Sequence, residues 1–376
     1  MKKNILLVSF YDLDNENLNG VTKIGFNLTK YAKSNIETLI VPYSQPGKLI
    51  TLFKYILKGN GVFNDYMYRE QLIKNVSLIE SESKKYDVVH FLGPQFLYLD
   101  TLLSEELLKK TVVQPIDNLL IFKGRLTKKV SLLKKVFYGL EIYKLKSLYE
   151  DIISYEKIIF VSKRDSRLFN KISKLSSVPI ENGVDLGFGK KTDFEIKNRN
   201  EVKLVFHGDL TYGPNVEATY FLNELGKKLG KCFKIDVVGK YNAQLESECS
   251  SLNFLGFVDD LSDSLTKYDM YICPIFSGSG IKNKFLEAGY MKIPMISTGE
   301  AAVGTSLKAS IDYEHAESMD DFLSSILRLS NDKNLRKSLS ENASRKIEKS
   351  FSWNQVVERY EAEYNKVYCN NNPSVG

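Results

Sequence analysis

Histidine is almost absent from this chain: His90, His207 and His315 are the only three in 376 residues. They stand far apart, which leaves little material for a Ser-His-Asp triad or a histidine metal cage. The four cysteines, Cys232, Cys249, Cys273 and Cys369, form no Cys-x-x-Cys pair. Neither a zinc site nor a disulfide framework is indicated, and a reducing cytoplasm fits. Long apolar runs are missing too. The first, residues 5–10, gives way to Asp12, Asp14 and Glu16 and no small-residue cleavage site follows, so it is far short of the roughly 20 residues of a membrane span and reads as a buried strand. No low-complexity tract and no repeat of fixed period occurs.

What is present is an ordinary globular composition, 43% hydrophobic and 26% charged, which excludes disorder. The length is more than twice the usual prior of about 150 residues per domain, so two cores are expected. The net charge of +6 hides an asymmetry of about +10 over residues 1–180 against about −4 over residues 181–376. Much of the excess lies in residues 122–146, where Lys123, Arg125, Lys128, Lys129, Lys134, Lys135, Lys144 and Lys146 alternate with apolar residues. A basic amphipathic helix of this kind can lie on an anionic membrane surface; alternatively its apolar stripe packs on its own domain. No stacking platform of the kind nucleic acid needs is seen.

Strand and helix signals alternate through the first half: strands at residues 5–10, 38–42, 86–91, 112–114 and 158–162, with a helix at 21–33 and longer helical stretches between the later strands. Residues 187–201 are polar, aperiodic and read as a linker. A second series follows, with strands at 203–207, 234–239, 253–257, 270–274 and 295–298 and a helix at 216–228. The pattern predicts an α/β chain of two Rossmann-like, doubly wound domains, 1–186 and 200–350, facing an interdomain cleft. The final segment, residues 352–368, holds the only tryptophan, Trp353, and is expected to pack back on the first domain.

Several stretches resemble glycosyltransferase family 4 (group 1), retaining enzymes of the GT-B fold, over nearly the whole chain. The strongest is Ser277-Gly278-Ser279-Gly280-Ile281-Lys282-Asn283-Lys284-Phe285-Leu286-Glu287-Ala288, continued through Met295-Ile296-Ser297-Thr298. Phe206-His207-Gly208-Asp209-Leu210, Pro214-Asn215-Val216, Phe254-Leu255-Gly256-Phe257-Val258-Asp259-Asp260, Glu181-Asn182-Gly183-Val184-Asp185 and Phe160-Val161-Ser162 add to it. The likeness is to the branch that builds bacterial surface polysaccharides.

The chemistry of the strongest motif stands beside the resemblance. A glycine-rich turn opening a helix points free backbone N–H groups and the positive helix end at one place, an anion site to which Lys282 and Lys284 add charge. A nucleotide diphosphate is the obvious anion. The resemblance implies a donor site of Gly208, Asp209, Gly280, Ile281, Lys282, Asn283, Lys284 and Glu287, with Glu287 accepting from ribose hydroxyls. The plainer reading makes the two lysines solvated and Glu287 a helix-surface charge. Many relatives carry a further Glu where this chain has Ser279, which leaves the sugar contact open. In the first half, Asn19 and Gly20 resemble the family's glycine loop, where Asn19 could also serve as a plain helix cap. Asp117, next to Asn118, stands where relatives place a polar residue facing the reacting sugar, although it could equally cap the next helix. Asp12-Leu13-Asp14 spells the D-x-D of metal-dependent transferases, but it follows the first strand rather than a nucleotide-binding half. No metal and no cofactor beyond the nucleotide-sugar co-substrate is expected.

The implied reaction is transfer of a glycosyl group with retention to a glycan or lipid-linked acceptor, in capsule, exopolysaccharide or O-antigen synthesis. Lys284, Lys282 and the helix N-terminus would stabilise charge on the departing diphosphate. Two rivals remain at this level: a sugar-nucleotide epimerase, which would want cleft carboxylates and histidines not found here, and a non-catalytic relative, for which Ser279 is the best argument. A cytoplasmic location, peripheral at the inner membrane face, fits the charge.

Overall fold

A computed structural model of the chain describes residues 2–14, 20–43, 48–58, 63–126, 131–185, 187, 189–196, 201–278 and 281–373, without the side chains of 48–50, 53, 58, 64, 65, 122, 125 and 126. The chain forms two compact units, residues 1–182 with 354–376, and residues 183–353.

The first unit is built on six parallel strands: β1 (Asn4–Ser9), β2 (Asn35–Ile40), β3 (Val88–Leu92), β4 (Thr111–Ile116), β5 (Lys157–Phe160) and β6 (Ser177–Pro179), in the order β2-β1-β3-β4-β5-β6. Ile5, Leu7, Val8, Val88, Val89, Val112, Val113, Ile158 and Ile159 are fully buried. Such unbroken apolar runs are what a parallel sheet covered on both faces selects. The edge strand β2 instead exposes every other residue or more. β6 is a strand that the sequence pattern does not disclose, because it is three residues long and ends in Pro179.

The C-terminal helix, Trp353–Asn371, belongs to the first unit from Asn354 onward. Buried Tyr360 and Tyr364 fasten it there: the Gln114 amide donates to Tyr360 Oη at 2.7 Å, and Tyr364 Oη lies 2.7 Å from His90 Nδ1. Glu361 accepts from the backbone N–H of Lys33 and Ser34 and from the Ser34 hydroxyl. Arg359 Nη1 meets Glu181 Oε2 at 2.7 Å, so the motif residue Glu181 is a structural tie.

The second unit holds β7 (Val202–His207), β8 (Phe233–Val238), β9 (Asn253–Gly256), β10 (Met270–Cys273), β11 (Met295–Ser297) and β12 (Glu314–His315), all parallel, in the order β12-β11-β10-β7-β8-β9. β12, two residues long, also escapes the sequence pattern. Each sheet reverses its order once, between β1 and β3 in the first and between β7 and β10 in the second.

Two expectations from sequence need correction. Residues 189–196 are not a free linker: Phe194 is buried, its carbonyl accepts from Arg336 Nε (3.0 Å) and Nη2 (2.7 Å), and Lys191 N–H donates to the Met291 carbonyl. A buried guanidinium needs acceptors, and this strap supplies them. Residues 122–146 are not one amphipathic helix either. Helices Leu119–Leu126 and Leu132–Asp151 divide the stretch, with residues 127–130, including Lys128 and Lys129, outside the described residues. Buried Glu141 draws Lys123 into an ion pair at 2.6 Å, and Lys144 Nζ donates to the Tyr55 carbonyl at 2.9 Å, so both cations serve the unit itself.

Candidate functional site

In an open parallel sheet, ligands bind beyond the carboxyl ends of the strands where the order reverses. In the second unit that place lies between the loops after β7 and β10. The first loop starts at Gly208, φ 148°, beside Gly239, φ 128°, at the end of β8. A Cβ on Gly239 would run into the Gly208 carbonyl, and one on Gly208 into Lys284 Nζ, so the bare backbone here is a packing requirement. Asp209 follows, its Oδ1 accepting from Thr211 N–H (2.9 Å) and Thr211 Oγ1 (2.6 Å). Burial opposes its charge, but these bonds, with Lys240 and Lys284, hold its pKa below the ordinary value.

The loop after β10 leads to helix Asn283–Tyr290. Ser277 Oγ donates to Glu217 Oε2 at 2.8 Å, and Gly278 adopts φ 133°. Lys282 folds back over it: a Cβ on Gly278 would sit 3.2 Å from Lys282 Cε. Lys282 Nζ stands 4.0 Å from Glu300 Oε1. Ile281 is buried, and Asn283, part-buried in the first turn, has an amide oxygen with no hydrogen-bond partner among the described residues. Ser279 and Gly280 lie outside the described residues.

Lys284 occupies the first turn of the same helix. Its Nζ donates to Asn215 Oδ1 at 2.6 Å and lies 4.5 Å from the centroid of the Phe206 ring. The Asn215 amide in turn donates to the Asp209 carbonyl at 2.7 Å. Burial lowers the Lys284 pKa to about 8; Lys282 adds to that shift, while Cys273, Glu287 and Asp209 oppose it. Glu287, one turn on, is 9% exposed, with Oε2 3.1 Å from His207 Nε2. The plainer reading of these residues therefore fails on burial: Lys282 and Lys284 are not freely solvated, and Glu287 is not a surface charge. A half-desolvated ammonium, a second lysine and the helix's first N–H groups together make a site for an anion, with a carboxylate and an unpaired amide oxygen placed to accept from hydroxyls.

In the first unit, Gly20 opens the helix Gly20–Tyr31, while Asn19 lies outside the described residues. A Cβ on Gly20 would sit 3.8 Å from Ile116 Cγ2, which brings this loop beside the end of β4. Ile116 has φ 72°, a strained conformation for a β-branched residue. Asp117 follows it, part-buried, its N–H donating to the Pro115 carbonyl. Its neighbour Asn118 takes part in capping the next helix: Asn118 Oδ1 accepts from Leu120 N–H at 3.1 Å and Nδ2 donates to the Asp165 carbonyl. Asp12 Oδ1 accepts from Asp14 N–H, closing a local turn. Among the described residues no group of three or more His, Cys, Asp or Glu side chains could hold a metal ion.

Residues 201–332 match the family model described as glycosyl transferases group 1. That match lies within the second unit. No curated protein matches the sequence. Among solved structures, Alr3699/HepE of Anabaena in complex with UDP is similar at TM-score 0.70 and 13% identity, covering 97% of this chain and 100% of that one. Sucrose-phosphate synthase (tll1590) from Thermosynechococcus elongatus is similar at TM-score 0.69 and 13% identity, covering 98% and 100%. WaaG, a glycosyltransferase involved in lipopolysaccharide biosynthesis, is similar at 0.62 and 12%, covering 95% and 98%. The fold is GT-B.

In the second unit the structure adds three residues that sequence reasoning did not assign to the site. Asn215 was legible only as part of Pro214-Asn215-Val216, with no sign that it would hold Lys284. His207 carried a signal in its position, immediately before Gly208 at a strand end. Glu300 had none, because only the packing of the loop after β11 against the loop after β10 brings it to Lys282.

Proposed function

We propose that the chain transfers a glycosyl group from a nucleotide sugar to a glycan acceptor. The observation that carries this reading is the meeting of Lys284, Lys282 and a helix N-terminus at the switch point of the second sheet, with buried Glu287 one turn further on. An anion and a polyol are both provided for, which is the chemistry of a nucleoside diphosphate sugar. Lys284 and Lys282 stabilise the charge that grows on the leaving diphosphate as the glycosidic bond breaks. Glu287 accepts from ribose hydroxyls. Transfer proceeds with retention: the acceptor hydroxyl attacks from the face the diphosphate leaves, and a phosphate oxygen takes its proton, so no strong protein base and no metal is needed. Gly208, Asp209, Gly280, Ile281 and Asn283 complete the donor site; Asn19, Gly20 and Asp117 serve the acceptor side.

The acceptor is a glycan or a lipid-linked saccharide of bacterial surface-polysaccharide synthesis, met at the cytoplasmic face of the membrane. The basic first half of the chain supports this, and no described helix is long and apolar enough to cross a membrane. Because Alr3699/HepE was solved with UDP and with UDP-glucose, uridine nucleotides head the test. The purified protein is screened by thermal shift against UDP-, GDP-, dTDP- and CMP-sugars, with and without EDTA, beside Glu287→Ala and Lys284→Ala. A shift with one nucleotide class, insensitive to EDTA and lost in both variants, supports the proposal. No shift with any of them sinks the donor site and favours a non-catalytic relative.

A further inference from the structure

Of the three histidines, His90 is enclosed against Tyr364 in the first unit and His315 stands exposed beside Glu317. His207 meets Glu287, yet the proposed transfer gives it no part. The protein holds its ring in place. His207 ends β7, paired with Val238 of β8, and the next N–H, that of Gly208, donates to the Val238 carbonyl at 2.9 Å. The fully buried Tyr271 ring meets the imidazole edge to face, centroids 5.4 Å apart, and His207 is only 6% exposed.

Glu287 reaches the same point from helix Asn283–Tyr290, with Oε2 3.1 Å from His207 Nε2. A carboxylate only accepts hydrogen bonds, so the hydrogen is the imidazole's. Burying a carboxylate is costly unless donors meet it, and this N–H does more than offset that cost. It fixes the plane of the carboxylate, whose terminal torsion is otherwise broad. A carboxylate has about four lone-pair sites, so acceptor capacity remains for hydroxyls. An acceptor held in one direction by a supporting partner reads a hydroxyl sharply, and one left to rotate reads it poorly.

We propose that His207 is the positioning residue for ribose recognition: its Nε2–H locks the Glu287 carboxylate in the orientation that accepts from the ribose hydroxyls, and so decides how strongly the site prefers a nucleotide that carries them. This rests on the reading of Glu287 as the ribose acceptor. The lysine and the glutamate of the site are then each aimed by a partner that touches no reacting atom, Asn215 for Lys284 and His207 for Glu287.

Calorimetric titration of the full chain compares UDP, GDP, dTDP and CMP with their 2′,3′-dideoxy counterparts, in wild type, His207→Ala, His207→Gln and His207→Asn. Wild type should prefer the hydroxyl-bearing form of the nucleotide it binds by at least about tenfold, the scale of hydrogen bonds to a charged group. His207→Ala should bring the two forms within about twofold of each other. It should do so by weakening the hydroxyl-bearing form alone, an unchanged dideoxy affinity reporting that the site is intact. Glutamine places an amide N–H near the Nε2 position and should restore most of the preference, whereas the shorter asparagine places it near Nδ1 and should not. A wild-type preference in His207→Ala, or equal behaviour of the glutamine and asparagine variants, overturns the proposal and leaves Glu287 its ribose role. Equal weakening of both forms in all three variants also overturns it, since His207 would then only support the fold. No preference in wild type removes the ribose role of Glu287 and this proposal with it; no binding of any nucleotide removes the donor site itself.

Discussion

Lys284 Nζ and Asn215 Oδ1 are joined at 2.6 Å, and through the Asn215 amide the same link reaches the Asp209 carbonyl. The chief cation of the site is thus aimed by a neutral amide, which orients it without neutralising it. Asn215→Ala should weaken nucleoside diphosphate binding about tenfold, the scale of one hydrogen bond to a charged group. Lys284→Met should abolish it. Calorimetric titration checks both, and an Asn215→Ala affinity equal to wild type would sever the link between this bond and the site.

The Lys284 pKa of about 8 sets a pH dependence. A diphosphate beside the ammonium favours its protonated form, so the pKa is higher in the complex than in the free protein. Affinity is therefore complete below about pH 8 and falls as pH rises through it, by up to about tenfold per unit until the pKa of the complex is reached. Lys284→Arg, which stays charged, should have a flat profile over the same window. A wild-type affinity constant from about pH 7 to 10 would contradict the assignment.

Two glycines at adjacent strand ends should respond differently to alanine. At Gly208, φ 148°, the new methyl meets the movable end of Lys284, so donor binding suffers first. At Gly239, φ 128°, it meets the Gly208 backbone carbonyl, which cannot swing away. Gly239→Ala should lower the unfolding midpoint by about 5 °C or more. Equal effects of the two substitutions on midpoint and on binding would show that the distinction between side-chain and backbone neighbours is wrong.

His90 is fully buried against Tyr364, and burial pushes its pKa down to about 3. The unfolded chain takes up a proton below about pH 6.5 that the folded state refuses. The first unit accordingly loses stability as pH falls from about 6.5 towards 3, by up to about 1.4 kcal/mol per pH unit. Urea unfolding at several pH values should show a shallower slope for His90→Phe than for wild type; parallel slopes would mean the imidazole is not the cause.

The two parallel sheets were legible in the sequence because strands covered on both faces must be apolar throughout, and Ile5 to Val8 or Met270 to Cys273 read no other way. β6 and β12 were not, since two or three residues carry no periodicity. The anion site was legible in its glycines and lysines, whose spacing along one loop and one helix turn is local. Its acceptors were less so: the burial of Glu287 depends on His207 from another strand, and the aim of Lys284 depends on Asn215 from another helix.

The stretch of residues 122–146 shows the limit most plainly. Its composition determined that a helix would be both basic and apolar, but composition treats all its lysines alike. Only the folded chain, by burying Glu141 and so drawing Lys123 inward while Lys144 caps the carbonyls of Tyr55 and Ile56, decided which cations remain at the surface. By itself the sequence determined the layers of each sheet and the chemistry of the loop that ends β10, because both follow from residues close together in the chain. The tertiary structure decided which charges are paired and which residues reach the site from elsewhere. Those outcomes depend on desolvation, and desolvation is a property of the packed molecule.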